Sequence, residues 1–329
     1  MPSLPPAVAE IRRAVRIAIA DVPDGAGIVV ALSGGADSLA LAAACAFEAR
    51  SRQIRVISAT IDHGLQAGSA DAAAQASEKA EALGIRSIVR RVSVAESADG
   101  PEAAARDARY AALRAIASEE HAAAVLLGHT LDDQAETVLL GLARGSGAAS
   151  LQGMAPVRED NDRMLWLRPL LSVRRDTTRA FCAASDIEVW DDPHNTDIRF
   201  ARVRARTRVL PVLEAELGPG IAEALARTAE QLREDAEAFD EMIHETIEDI
   251  VEHAEAGISV SVAALAANPA ALRNRIIRLV VDSEFGVGLT RVQTLEVARL
   301  ATDWSGQGPI DLPGCSAHRH GGRIVFTAR

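Results

Sequence analysis

The chain has 329 residues, 48% of them hydrophobic and 25% charged, with a formal net charge of −11; this excludes disordered and fibrous classes and sets a prior of roughly two domains. No apolar run approaches the ~20 residues of a membrane span, and nothing after Pro2, Pro5 and Pro6 resembles a signal peptide, so a cytosolic protein with no membrane contact is expected. Cys45, Cys182 and Cys315 are scattered and form no CxxC pair, which argues against structural zinc and iron–sulfur clusters.

Residues 27–143 alternate between short apolar runs and Ala-rich helical stretches. Strands are predicted at 27–32, 54–61, 87–94 and 123–127, with helices at 38–50, 70–83, 101–120 and 131–143. That order predicts a doubly wound α/β parallel sheet, in which ligands gather beyond the carboxyl ends of the strands. From 144 to 214 the pattern weakens into loops, with a helix near 173–184 and a short strand at Glu188–Trp190. An amphipathic helix follows, its apolar row running through Leu225, Ala229, Leu232, Ala236, Phe239, Ile243 and Ile250. Helices at 269–284 and 290–302 and strands at 309–312 and 323–327 complete a small C-terminal α+β domain. The expected division is a nucleotide domain over 1–214 and a helix plus C-terminal domain over 215–329.

Charge is segregated along the chain. Residues 163–208 hold ten arginines against six acids, and 227–255 hold two against eleven. Lys79 is the only lysine, so arginine supplies nearly every cationic contact.

Two motifs carry the chemistry. Ser33-Gly34-Gly35-Ala36-Asp37-Ser38 sits at a strand-to-helix turn, where glycines let the backbone wrap a phosphate and a helix N-terminus presents free amides. It lacks the Gly-Lys-Ser/Thr of a P-loop and the GxGxxG of a dinucleotide fold. The second, Gly128-His129-Thr130-Leu131-Asp132-Asp133-Gln134-Ala135-Glu136-Thr137, opens another helix at a strand end. Asp132, Asp133 and Glu136 fall within one turn and would repel unless a divalent cation or an ammonium group sits among them. Taken alone, either aspartate is as easily a first-turn acid favoured by the helix dipole, and His129 is as easily a buried histidine.

SGGADS resembles the PP-loop of ATP pyrophosphatases. Together with Asp62-His63-Gly64-Leu65, the stretch Arg106–Tyr110, GHTLDDQAET, Arg144-Gly145-Ser146-Gly147 and Arg168-Pro169-Leu170-Leu171, it occurs in the order seen in the tRNA(Ile)-lysidine synthetase family. The similarity continues through Asp192-Pro193-His194-Asn195, Arg202-Val203-Arg204-Ala205-Arg206, Leu210-Pro211 and Pro309–Gly314. Val203 stands where the family often has Asn, and one small C-terminal domain is expected where longer members have two. The resemblance implies an adenine nucleotide alpha hydrolase-like fold and a ligase forming a carbon–nitrogen bond. It implies that ATP adenylates C2 of the wobble cytidine in the CAU anticodon of tRNA(Ile), and that L-lysine then displaces AMP. By the same resemblance Ser33, Gly34, Gly35, Ala36, Asp37, Ser38, Asp62, His63 and Arg106 hold ATP, and Asp37, His129, Asp132, Asp133 and Glu136 are catalytic. Asp37 and Asp133 would bind Mg²⁺, and Arg199, Arg202, Arg204, Arg206 and Arg208 would contact RNA phosphates. A homodimer is compatible with the acidic helix.

Rival readings are another PP-loop RNA-modifying enzyme and a nucleotide-binding RNA adaptor without catalysis. Unpaired cysteines weigh against a thiolase, and the intact acids Asp37, Asp132 and Asp133 weigh against an adaptor.

Overall fold

Gly27–Ala31 (β1) carries Ile28, Val29 and Val30, all fully buried, because a central parallel strand is covered on both faces and takes apolar residues without alternation. The computed structural model describes residues 4–64, 68–93, 101–145, 147–190, 196–254 and 257–329. An amphipathic helix, α1 (Pro6–Ala18), precedes β1 and buries Val8, Ile11 and Val15. After β1 come α2 (Ala36–Glu48), β2 (Arg55–Asp62), α3 (Ser69–Ala82), β3 (Arg86–Arg91), α4 (Pro101–Glu119), β4 (Ala122–Leu126) and α5 (Leu131–Ala143). β1 pairs in parallel with β2 and β4, and β2 with β3, as the alternating pattern requires.

The following stretch holds more structure than its pattern suggests. It contains α6 (Ala148–Leu151), β5 (Val157–Glu159), β6 (Leu165–Leu167) and α7 (Arg175–Ala184). β6 adds in parallel to β4 and β5 adds antiparallel to β6, giving a six-stranded sheet ordered β3-β2-β1-β4-β6-β5. Strands of three residues are too short to display a period. The expected strand at Glu188–Trp190 is absent from the sheet; the Trp190 amide donates instead to the Gly34 carbonyl at 3.1 Å.

The arginine-rich segment is helical: α8 (Ala201–Arg204), a π-helical turn (Ala205–Val209) and α9 (Leu210–Leu217). Pro211 lacks an amide and its ring crowds the carbonyl of Thr207, which accounts for the widened turn just before it.

The long helix α10 (Ile221–Ile250) buries Ala229, Ala236, Ile243 and Ile250 along the predicted row. The chain divides into two compact units, Met1–Arg233 and Glu234–Arg329, with the division inside α10. The second unit comprises β7 (Val251–Ala254), β8 (Gly257–Ser261), α11 (Val262–Ala267), α12 (Ala270–Phe285), α13 (Arg291–Thr302), β9 (Ile310–Leu312), β10 (Cys315–His320) and β11 (Arg323–Ala328). Its sheet, ordered β7-β8-β11-β10-β9, is antiparallel throughout. Ile276, Ile277, Val281, Val297 and Phe326 fill the core of this unit. No helix among the described residues is long and apolar enough to cross a membrane.

Candidate active site

The phosphate-binding motif lies where β1 ends and α2 begins. Gly34 adopts φ +82°, a left-handed conformation that a side chain would strain. Ser38 Oγ accepts from the Ser33 amide at 3.1 Å, and lies 3.0 Å from the Gly35 carbonyl and 3.1 Å from Ser33 Oγ. The loop is thus closed on itself by its own hydroxyls, with the amides at the start of α2 facing a cleft.

That cleft, about 890 Å³, is lined by Ser33, Gly35, Ala36, Asp37 and Ser38 of the first motif and by His129 and Asp133 of the second. Asp62, His63, Arg109, Arg175, Trp190 and Arg206 complete its wall. Gly128 brings the two motifs together: a Cβ there would lie 3.2 Å from backbone atoms of Asp37 and Ser38, so a larger residue would press the two motifs apart by a few tenths of an ångström.

The three acids of the second motif have different surroundings. Asp133 forms a capping box with Thr130, accepting from the Thr130 amide at 2.8 Å while Thr130 Oγ1 accepts from the Asp133 amide. Asp132 is not among the residues lining the cleft and accepts from the Arg175 amide at 2.8 Å, serving the N-terminus of α7. Glu136 is fully buried.

The cations that relieve their repulsion are guanidinium groups. Arg175 donates to Asp133 at 2.8 Å and to Glu136 at 3.3 Å, and its Nε lies 3.5 Å from Asp37. Arg206 donates to Glu136 at 2.7 Å and 3.1 Å, Arg202 reaches within 4.0 Å of Glu136, and Arg174 lies 3.2 Å from Asp132. Burial pushes the Asp37 carboxyl above the usual range, against the pull of Thr178 and Arg175. Burial works to raise the Asp133 carboxyl, but Arg175 and the amide and hydroxyl of Thr130, among the charges and donors around it, bring it below its usual value.

The five arginines selected for RNA therefore differ in place. Arg202 and Arg206 turn inward to Glu136 and Thr137. Arg199 is exposed and pairs with Asp197, Arg204 is exposed and donates to the Ile198 and Arg199 carbonyls, and Arg208 is exposed. Within Arg106–Tyr110, Arg109 lines the cleft, whereas Arg106 is exposed with its guanidinium 5.2 Å from the Tyr110 ring. Asp62 accepts from the Gly64 amide at 2.9 Å and is held below the usual carboxylate range by Ser69 and that amide. Asp192–Asn195 and Ser146 lie outside the described residues. Sequence reasoning missed Arg175, Thr178 and Trp190 as site residues and chose Arg106 where Arg109 lines the cleft; the arginine excess over 163–208 and the Arg106–Tyr110 stretch were the available signals.

His63 and His129 each leave Nδ1 buried without a partner. Burial lowers the pKa of both; Arg109 adds to the effect on each, and Arg168 and Arg106 add to that on His129, while Asp62 and Asp133 oppose. Both imidazoles are accordingly neutral at pH 7. A histidine near 6.5 when unfolded and lower when folded binds more protons in the unfolded chain, so stability is present above about pH 6.5 and is lost on acidification. The melting temperature is expected to fall from pH 7 to pH 5, and His129→Gln should flatten that slope; an unchanged slope in this variant would show that His129 does not carry it.

Comparison with known proteins now decides the family. A model of the PP-loop domain matches residues 9–213, and one of the TilS substrate binding domain matches residues 261–325. The tRNA(Ile)-lysidine synthase of Leifsonia xyli is 58% identical over 304 residues, covering 92% of this chain and 90% of the relative. That of Thermobifida fusca is 47% identical and covers 98% of each chain. This chain belongs to the tRNA(Ile)-lysidine synthase family. Among solved structures, the U34-tRNA thiolase NcsA from Methanococcus maripaludis shares the fold, with a TM-score of 0.60 at 19% identity over 69% of this chain and 80% of that one. The family is one of ligases, and the ATP-using PP-loop domain is the part that contains the cleft described above.

Proposed function

We propose that the chain ligates L-lysine to C2 of the wobble cytidine in the CAU anticodon of tRNA(Ile), through an adenylated RNA intermediate. The observation that carries this reading is the meeting, in one cleft, of a phosphate loop without a P-loop lysine and the start of α5 with His129 and Asp133. The cytidine O2 attacks the α-phosphate of ATP and the α–β bond breaks, releasing diphosphate. The lysine amine then attacks C2, the C2–O bond breaks, AMP leaves, and the amine loses a proton. Ser33, Gly34, Gly35, Ala36 and Ser38 would cradle the diphosphate unit, with Asp62 and His63 at the neighbouring strand end. Arg109, flanked by neutral His63 and His129, supports a role in receiving negative charge at the α-phosphate.

Magnesium keeps most of its waters and takes one or two carboxylates together with substrate phosphates. No group of three or more metal-binding side chains occurs among the described residues, and Asp37 and Asp133, two carboxylates on one cleft wall, fit that demand. When bound, the ion would neutralise charge on the phosphates. Asp132 and Glu136 support the second motif through Arg174, Arg175 and Arg206, and Asp133, which lines the cleft, offers negative charge to an amine substrate.

In this reading residues 1–214 are the catalytic part, and residues 215–329 supply the acidic helix and a C-terminal RNA-binding part. Function in the cytoplasm, and assembly as a homodimer, are compatible with it. The test is product analysis with labelled ATP, L-lysine and a tRNA transcript bearing a CAU anticodon. AMP, diphosphate and lysine-labelled RNA are expected; ADP as the main nucleotide product would overturn the reading.

A further inference from the structure

Arg175 and Thr178 stand on the first turn of α7, and neither belongs to the two motifs. Among the described residues, Arg175 reaches carboxylates of both: Asp133 at 2.8 Å and Glu136 at 3.3 Å from the second motif, and Asp37 at 3.5 Å from the phosphate loop. Its amide also donates to Asp132 at 2.8 Å, so backbone and side chain together bind α7 to the start of α5. Thr178, fully buried, donates through Oγ1 to Asp37 Oδ1, and the same oxygen lies 2.7 Å from the Arg175 carbonyl. A planar guanidinium serves three acceptors at once through its fork of donors, which an ammonium on a flexible stem does not reproduce.

We propose that Arg175 and Thr178 are positioning residues that hold the Asp37 carboxylate of the phosphate loop in fixed relation to Asp133 and Glu136 of the second motif. The inference rests on the cleft being the adenylation site. The two motifs approach through backbone at Gly128, but their acid side chains need a common reference. The first turn of α7 supplies it, and the rest of α7 is anchored independently by Phe181 and Cys182 in the core beside α2. A small displacement of such a group costs rate more than binding, because reacting groups must align within a fraction of an ångström.

The experiment measures AMP formation by the full chain with ATP, lysine and tRNA transcript, alongside thermal melts. Arg175→Lys is expected to lower kcat about 100-fold and Thr178→Val about tenfold. The KM for ATP should stay within about threefold in both, since the hydroxyls and amides of the phosphate loop are intact. Thr178→Val replaces a hydroxyl by a methyl of similar size and removes one buried hydrogen bond, so its melting temperature should fall modestly and kcat is read at a temperature where the variant is fully folded. In Arg175→Ala, millimolar guanidinium ion should restore part of kcat with saturation, and methylammonium should not. Either of two results overturns the proposal: a parental kcat in Arg175→Lys or Thr178→Val, or activity losses that follow the folded fraction without guanidinium rescue. If the parent chain itself yields ADP, the adenylation reading falls first, and that outcome is separate from the behaviour of the variants.

Discussion

Asp37→Asn is expected to lower turnover by at least about 100-fold while leaving the melting temperature unchanged or raised. Asp37 lines the cleft at the start of α2, and burial raises its carboxyl above the ordinary range, so holding the charge there costs the fold more than it would in water. An amide of the same shape removes that cost and still accepts from Thr178, and these offset the loss of the longer contact with Arg175 at 3.5 Å. The stability lost at such a position serves function, which is the usual sign of an active-site residue. Asp133→Asn is expected to differ. It should also stop turnover, but with a lower melting temperature, because Asp133 closes the capping box of α5 and receives Arg175 at 2.8 Å. Losing such a cap costs about 1 kcal/mol. Single-turnover rates and melts on the same samples separate the two acids; a destabilised Asp37→Asn with a proportionate loss of activity would assign Asp37 to the fold alone.

The contrast between these acids marks what the sequence could and could not disclose. Both follow a strand and open a helix, and the family resemblance made both ligands, although Asp133 alone read as easily as a first-turn acid. The strand-end position was legible because β1, β2 and β4 are buried apolar runs of ordinary length, each followed by a helical pattern. A helix-start role for Asp133 was legible, but not its capping box, since Thr130-x-x-Asp133 lacks the Glu or Gln by which one is usually recognised. The counter-charges of the acids were hidden too. They come from Arg174, Arg175, Arg202 and Arg206, about 40 to 70 residues away in sequence, and long-range pairing leaves no local pattern. The same limit applies to β5 and β6, and to β7, β8 and β10 in the second unit, whose length or polar edge content conceals a period. β10 reads Cys-Ser-Ala-His-Arg-His, and only Cys315 and Ala317 face the core.

Arginines 199, 204 and 208 are expected to account for the salt dependence of RNA binding, whereas Arg206 is not. The first three are exposed on the segment around α8, and the carboxylate partner of Arg199, Asp197, forms an ion pair at a surface where such pairs contribute little. Arg206 is engaged with fully buried Glu136 at 2.7 Å, and a guanidinium so placed is not free to displace counterions from a phosphate. Each phosphate contact contributes about 0.7 to 0.9 to the slope of log affinity against log salt, so replacing Arg199, Arg204 and Arg208 together by Ala should flatten that slope by roughly two units. Arg206→Ala should leave the slope nearly unchanged and lower both kcat and melting temperature, because it removes the bidentate partner of Glu136 and leaves that buried carboxylate to Arg175 and the more distant Arg202. Titrating a labelled transcript across a range of salt concentrations decides between the two groups. If the Arg206→Ala slope flattens by a full unit while its melting temperature holds, the inward pairing gives way on RNA binding and Arg206 joins the phosphate-contacting set.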